Sequence, residues 1–402
     1  MYPTIYHALY DMFGLDWTWT KLLNSFGFFV ALAFVAASYT LGLELKRKGR
    51  EGHLKSERRK VILGKGPEWA DVITNGIIGF IVGWKFVYLF LNSSRLFQPG
   101  ETPQQYIFSS EGYWFLGLIM GLAFGAWKWW EYKKNQLPEP KEQVVEFHIF
   151  EYTGTITFLA AIFGIIGAKL FHLFENPDEF LAFFKSPDLN SFLSGLTVYG
   201  GLIVGAAGVL VFAWRKNIPL LHLTDSATPG MILAYGIGRI GCQVSGDGDW
   251  GIVNAAPKPS WLSWLPDWMW AYDYPNNVNG VLGPSADTFG MRITDPSIPC
   301  FEGYCTHLVP AVWPTPFYET IMAVLIFGFL WSIRKRVKIP GMITAGYLIL
   351  NGMERFLIES IRVNNKFDLF GLQATQAQVI AVLFVLSGVG MFLFLRKRSA
   401  AL

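Results

Sequence analysis

Nine apolar stretches recur along the chain, at roughly 22–43, 71–92, 113–131, 152–174, 196–214, 229–243, 316–333, 342–361 and 376–394. About 20 apolar residues in a helix cross a hydrocarbon core roughly 30 Å thick. The pattern therefore predicts an all-α fold, a polytopic transmembrane helical bundle of about nine spans. The sixth stretch is short, and its Gly236, Gly238 and Gly241 predict a helix that breaks before crossing fully. Between 244 and 315 helical periodicity fails, and the segment is rich in Trp, Pro, Asn and Gly, including Trp250, Trp261, Trp264, Trp268 and Trp270. A small ordered extracytoplasmic head is expected there, with a solvent-exposed loop as the plainer alternative.

Polar positions orient the set. Basic clusters lie at 46–48, 58–60, 133–134, 215–216, 334–338 and 396–398. With nine spans, all fall on one side. The positive-inside rule makes that side cytoplasmic, with the N-terminus out and the C-terminus in. Loops 93–112, 175–195, 244–315 and 362–375 then share the outer side. Residues 1–16 lack the basic and short apolar regions of a cleavable signal peptide.

Composition excludes an ordinary soluble domain: 52% of residues are hydrophobic and 16% charged, against about 25% charged in usual chains. The net charge of +3 decides nothing by itself. The basic clusters border spans and need no nucleic acid. Walker, nucleophile-elbow and HExxH patterns are absent. The six histidines are scattered, so no metal site is expected. Cys300 and Cys305 form a local disulfide if their loop is extracytoplasmic, or remain two free thiols.

Chemistry concentrates where charge interrupts the apolar runs. An arginine at the centre of a membrane helix costs about 2.5–3.5 kcal/mol on insertion scales, so it faces a bundle interior, a partner or an anion. Arg239 is such a residue, with Gly238 before it and Gly241, Gly246, Asp247, Gly248 and Asp249 after it. Its guanidinium fork matches phosphate oxygens; an ion pair with Asp225 or a neighbouring carboxylate is the structural alternative. Arg355, Glu359 and Arg362, spaced by four and three, share one helix face. They read as an anion grip or as a buried salt-bridge network, with Glu354 projecting elsewhere. Tyr199, Gly200 and Gly201 open the fifth stretch, as a ligand approach or a packing pair with an interfacial tyrosine. Glu319 either pairs with an arginine or caps its helix. The run Gly76–Phe90 is also similar to Ala160–Phe174, by coincidence or by partial duplication.

In these motifs the chain resembles the bacterial prolipoprotein diacylglyceryl transferases. That family's Gly-Arg-hydrophobic-Gly-Asn-Phe-x-Asn-Gly-Glu motif is similar to Gly238-Arg-Ile-Gly-Cys-Gln-Val-Ser-Gly-Asp247. Arg239 takes the place of the family's essential arginine and Asp247 that of its glutamate, while Cys242 and Ser245 replace its asparagines. Asp225–Pro229 matches an upstream segment, Tyr199-Gly-Gly201 the family's His-Gly-Gly, and Pro314–Glu319 its Pro-x-Gln-Leu-Tyr-Glu. Arg355, Glu359 and Arg362 keep its late arginine–glutamate–arginine helix. The resemblance runs over about 150–375. The family commonly has seven spans, so 65–150 is expected to be an inserted helical pair. The remaining divisions are an N-terminal span with a basic loop (1–64), two parts of a transferase core (151–243 and 316–402) and the head (244–315).

The resemblance implies transfer of a diacylglyceryl group from phosphatidylglycerol to the lipobox cysteine of a preprolipoprotein signal peptide, at the bacterial cytoplasmic (inner) membrane. Glycerol phosphate is released and no cofactor is required. Arg239, Arg355, Glu359, Asp247 and Tyr199 are the expected catalytic residues. Gly200, Gly201, Asp225, Gly238, Ser245, Glu319 and Arg362 are the expected substrate-binding residues. The competing classes are a membrane transporter or binding protein for an anionic lipid or small molecule, and a catalytically inactive transferase homologue.

Overall fold

The computed structural model describes residues 1–92, 109–178, 197–279, 289–301, 303–364, 366–369 and 372–400. Most of the loops 93–112 and 175–195 lies outside the described residues.

Each of the nine apolar stretches folds as a helix. After a short α1 (Ile5–Phe13) come α2 (Ser25–Arg50), α3 (Trp69–Leu91), α4 (Trp114–Lys134), α5 (Thr153–Glu175) and α6 (Val198–Arg215). They are followed by α7 (Leu220–Ser245), α8 (Thr315–Ile333), α9 (Met342–Glu359) and α10 (Gln376–Ala400). Among the described residues six helices are long and apolar enough to cross a membrane: α2, α3, α5, α6, α8 and α10. The other three dilute their apolar character. Helix α4 is rich in Trp and Gly, α7 begins with polar residues, and α9 carries Glu354, Arg355 and Glu359. Outward faces bear large apolar side chains such as Val35, Leu122 and Leu386, as lipid-facing surfaces do.

The chain divides into two units. The first comprises Met1–Asp16, Leu23–Leu54 and Phe212–Leu402; the second comprises Trp17–Leu22 and Lys55–Val211.

In the first unit α7, α8 and α9 pack around Ile232, Ala323, Leu330 and Ile343, with α2 against α7 and α10 against α9. Helix α7 corrects the expectation of a short, broken sixth element. It runs unbroken for 26 residues, with Pro229 inside it, and stops at Gly246 in the left-handed region (φ 64°). Its first three turns escape a hydropathy reading because they are polar, yet Asp225 and Ser226 there are buried with partners. Asp225 accepts from the Gly341 amide at 2.7 Å and from the Thr344 amide and hydroxyl at 2.9 Å each. Ser226 donates to the His222 carbonyl at 2.7 Å. Gly236 is a close crossing rather than a break, since a Cβ there would lie 2.9 Å from the Ala323 Cβ.

Residues 250–312 build their own small core from Trp250, Tyr274, Leu308 and Val312. Antiparallel β3 (Phe289–Arg292) and β4 (Thr306–Val309) lie beside it. Cys300 and Cys305 are disulfide-bonded. The described residues of this segment thus have a packed core of their own. A second ribbon, β5 (Lys366–Leu369) with β6 (Leu372–Thr375), precedes α10.

The second unit holds α3, α4, α5 and α6 up to Val211. Antiparallel β1 (Glu57–Leu63) and β2 (Lys141–Phe147) flank the α3–α4 pair. These ribbons qualify the all-α expectation. In β1 four charges precede three apolar residues, so no two-residue alternation announces a strand. The similarity between 76–90 and 160–174 has a structural counterpart. Lys85 and Lys169 are both buried, at 7% and 6% exposure. The glycine two residues before each is a tight helix crossing: a Cβ on Gly83 would meet the Leu116 carbonyl at 2.5 Å, and one on Gly167 the Gly200 carbonyl at 2.3 Å. Lys85 donates to the carbonyls of Ser109 and Glu111 at 2.6 Å each.

Candidate functional site

Three arginines and three carboxylates meet within the first unit. Arg239 lies on α7, Glu319 in the second turn of α8, and Arg355 and Glu359 near the end of α9. Arg362 follows α9 and Asp249 follows α7. Glu319 is fully buried and serves all three guanidinia, with Arg239 Nε at 2.9 Å, Arg355 at 3.1 Å and Arg362 at 3.2 Å. Arg355 also pairs with Glu359 at 3.1 Å, as the spacing of four predicts. Asp249 closes the network, bound to Arg239 through one oxygen and to Arg362 through the other at 2.6 Å.

Backbone bonds hold Asp249 in place. Its carbonyl accepts from the Thr315 hydroxyl at 2.8 Å, where α8 begins. The Gly251 amide donates to Trp313 at 2.8 Å and the Ile252 amide to Ile361 at 2.9 Å. The segment is thereby tied to the chain entering α8 and the chain leaving α9. Gly251 is required by close approach, since a Cβ there would lie 2.5 Å from the Ile361 carbonyl and 2.8 Å from the Trp313 Cβ. Gly251→Ala is expected to cost about 1–3 kcal/mol, the usual range for overpacking. Thermal unfolding of the purified chain measures it, and an unchanged midpoint would refute the assignment.

The network is balanced in charge, three guanidinia against three carboxylates, which makes burial tolerable. It is most open at Asp249, which is 36% exposed, against 22% for Arg355, 16% for Arg239, 9% for Arg362 and 0% for Glu319 and Glu359. An anion that replaced the Asp249 carboxylate would gain both Arg239 and Arg362.

Burial opposes the charge on Asp249, but Arg239 and Arg362 outweigh it and hold the carboxyl below the usual carboxylate range. Asp247, beside it, moves the other way, raised by burial and then by the neighbouring Asp249 charge. A depressed folded-state value means that Asp249 contributes stability above the unfolded value of about 3.9, and that this is lost as pH falls toward the folded value. The midpoint deficit of Asp249→Asn relative to the parent is therefore expected to be largest near neutrality and to shrink as pH falls below about 5. A deficit independent of pH would contradict the pairing.

The expected site residues separate into groups. Arg239, Glu319, Arg355, Glu359 and Arg362 come together. Asp247 lies beside the cluster, accepting from the Asp249 amide at 3.3 Å. Ser245 is buried, with its hydroxyl 3.5 Å from the Cys242 carbonyl, and Gly238 faces open space. Asp225 is not part of the cluster, because it caps the start of α9; this removes the Arg239–Asp225 pair as an alternative. Tyr199, Gly200 and Gly201 belong to the second unit. There Gly200 and Gly201 are crossings against α5, with a Cβ on them 2.4 Å from the Gly167 carbonyl and 3.0 Å from that of Gly164. Glu354, beside the stripe in sequence, is buried. It is 3% exposed, and its oxygens make no hydrogen bond among the described residues.

Asp249 is the residue that sequence reasoning passed over in favour of Asp247. The signal was the doubled Gly-Asp-Gly-Asp, in which the second carboxylate reaches back to the arginines. Cys242, Asp247 and Asp249 bring their ligand atoms within 4.8 Å of one another. Two guanidinia already on Asp249 oppose a cation there.

A family model for prolipoprotein diacylglyceryl transferase matches residues 113–394. Among curated relatives, a protein of Leptospira interrogans serogroup Icterohaemorrhagiae serovar copenhageni is 27% identical over 239 residues, 53% of this chain and 63% of its own length. One of Corynebacterium efficiens is 27% identical over 241 residues, 59% of this chain and 66% of the relative. One of Dehalococcoides mccartyi is 24% identical over 290 residues, 70% of this chain and 89% of the relative. All three are named phosphatidylglycerol–prolipoprotein diacylglyceryl transferase. The chain spans just under two thirds of the length of the Leptospira and Corynebacterium proteins. With 113–394 of its 402 residues matched, this chain belongs to the prolipoprotein diacylglyceryl transferase family.

Proposed function

We propose that this protein transfers a diacylglyceryl group from phosphatidylglycerol to the lipobox cysteine thiol of preprolipoproteins, releasing glycerol phosphate. The observation that carries the reading is the meeting of Arg239, Arg355 and Arg362, from α7, α9 and the segment after it, at the buried Glu319, with the partly exposed Asp249 held by two of them, Arg239 and Arg362.

The substrate's thiol sulfur attacks the glyceryl carbon, the carbon–oxygen bond breaks, and its electron pair leaves on the phosphate oxygen. Charge grows on that oxygen, and donors already oriented toward it lower the barrier. Glu319 and Glu359, buried behind the arginines, fix the guanidinia so that little reorientation is needed. Phosphate displaces Asp249 from Arg239 and Arg362. The freed carboxylate, with Asp247 beside it, is placed to take the thiol proton. Tyr199, Gly200 and Gly201 stay candidates on the family resemblance alone.

The proposed setting is the bacterial inner membrane, with nine spans, the N-terminus and head outside and the C-terminus inside. Basic residues support this at the cytoplasmic ends, and the Cys300–Cys305 bond supports an oxidising side for the head. Residues 65–150 are proposed as an added helical pair. The shared lysine and glycine crossing of α3 and α5 supports its origin as a copy.

Mass spectrometry tests the activity. Purified protein is incubated with phosphatidylglycerol and a lipobox peptide, beside the same peptide carrying serine for cysteine. A cysteine-dependent gain of one diacylglyceryl group is expected. Saturable binding of either substrate by folded protein without any product would point to the inactive homologue or the transporter.

A further inference from the structure

The first unit has a second charged site at the far end of the helices that carry the arginine cluster. There α2, the start of α7 and the connection between α8 and α9 frame a cavity of about 420 Å³. Helix α8 separates the two, because Thr315 binds the Asp249 carbonyl at one end and Arg334 follows its last turn at the other. At 1.5 Å per residue, its 19 residues span about 28 Å.

Arg47, Lys48, Arg334, Lys335 and Lys338 line the cavity against Glu44, Glu51 and Asp225. Five positive charges less three negative leave two in excess. The carboxylates are engaged elsewhere. Glu44 holds Arg47 at 2.7 Å and Arg334 at 2.6 Å, Glu51 holds Arg47 at 2.6 Å, and Asp225 caps α9. Among the described residues Lys335 and Lys338 have no carboxylate partner. Lys48 is 7% exposed and gives one hydrogen bond, to the His222 carbonyl at 2.9 Å, although an ammonium carries three hydrogens. Helix α7 begins two residues before His222, so its positive end adds to the field. The cavity thus holds one desolvated lysine with unused donors, two exposed lysines without a carboxylate at its edge, and a net positive lining.

We propose that this cavity is a second anion site, in which Lys48, Lys335 and Lys338 hold a phosphate group. It is separate from the arginine cluster and does not depend on the transferase reading. The phosphate belongs either to the headgroup of an anionic lipid at that face or to a free phosphate.

Thermal unfolding of the full chain tests this, followed by tryptophan fluorescence in zwitterionic detergent. Inorganic phosphate is titrated against sodium chloride at equal ionic strength. A second arm compares phosphatidylcholine nanodiscs with and without phosphatidic acid. The Lys335→Ser/Lys338→Ser double variant changes exposed loop positions, and Arg239→Gln serves as the control at the other site. Saturable stabilisation is expected, at least about tenfold weaker in apparent affinity in the double variant and retained in Arg239→Gln. A response to inorganic phosphate assigns a free phosphate, and a response to phosphatidic acid alone assigns a headgroup. No stabilisation in either arm, or stabilisation that the double variant retains when combined with Arg239→Gln, would overturn the proposal.

Discussion

Arg239→Gln is expected to lower diacylglyceryl transfer on the order of a hundred- to a thousandfold, the usual loss when one preorganised donor to a developing oxyanion is removed. Glutamine keeps hydrogen-bonding capacity but loses the charge and the fork. Glu319 and Asp249 each keep another arginine, since Arg355 and Arg362 hold the former and Arg362 the latter. The variant should therefore fold and insert, and the loss should fall on kcat more than on substrate binding. Arg239→Lys restores charge without the planar fork and should recover only part of the rate. Initial rates with phosphatidylglycerol and a lipobox peptide, beside an unfolding curve for each variant, provide the check. Retained transfer in folded Arg239→Gln would remove the arginine from the chemistry.

Glu319→Gln should have the largest effect on stability. One buried carboxylate currently satisfies three guanidinia that are 16%, 22% and 9% exposed. Neutralising it leaves Arg239, Arg355 and Arg362 to share Asp249 and Glu359. Breaking a buried pair by removing one partner costs about 3–5 kcal/mol, because an uncompensated charge stays behind. Side-chain volume is nearly unchanged, so the loss reports on charge rather than packing. Unfolding of parent and variant under one detergent condition measures it. If the midpoints coincide, Glu319 is not the centre of the cluster.

Helices were legible in the sequence because uninterrupted apolar runs leave little alternative in lipid. Each expected stretch is helical, and the spacing of four delivered the Arg355–Glu359 pair, whereas Arg362 lies beyond the end of α9 and turns to Glu319 and Asp249. Positions where polarity was read as interruption were less legible. Residues 220–228 look like a loop because of His222, Thr224, Asp225, Ser226 and Thr228, but Thr224 and Ser226 bond to backbone and Asp225 to the start of α9, which no local pattern shows. Glu319 has the same character. Its spacing from Arg239 and Arg362 in sequence is long, so only the packing of α7, α8 and α9 reveals one carboxylate serving three arginines. Asp249 was hidden by its neighbour Asp247, since motif position favoured one and the backbone bonds of Gly251 and Ile252 favour the other.

The most direct measurement uses phosphatidylglycerol labelled with oxygen-18 at the bridge between the diacylglyceryl carbon and phosphorus. It is incubated with the purified chain and a lipobox peptide. The account predicts a cysteine-dependent mass gain of one unlabelled diacylglyceryl group, with all of the label in the released glycerol phosphate. This follows because the thiol attacks carbon and the arginines receive the departing oxygen. Absence of a cysteine-dependent gain, or label found in the peptide product, would contradict it.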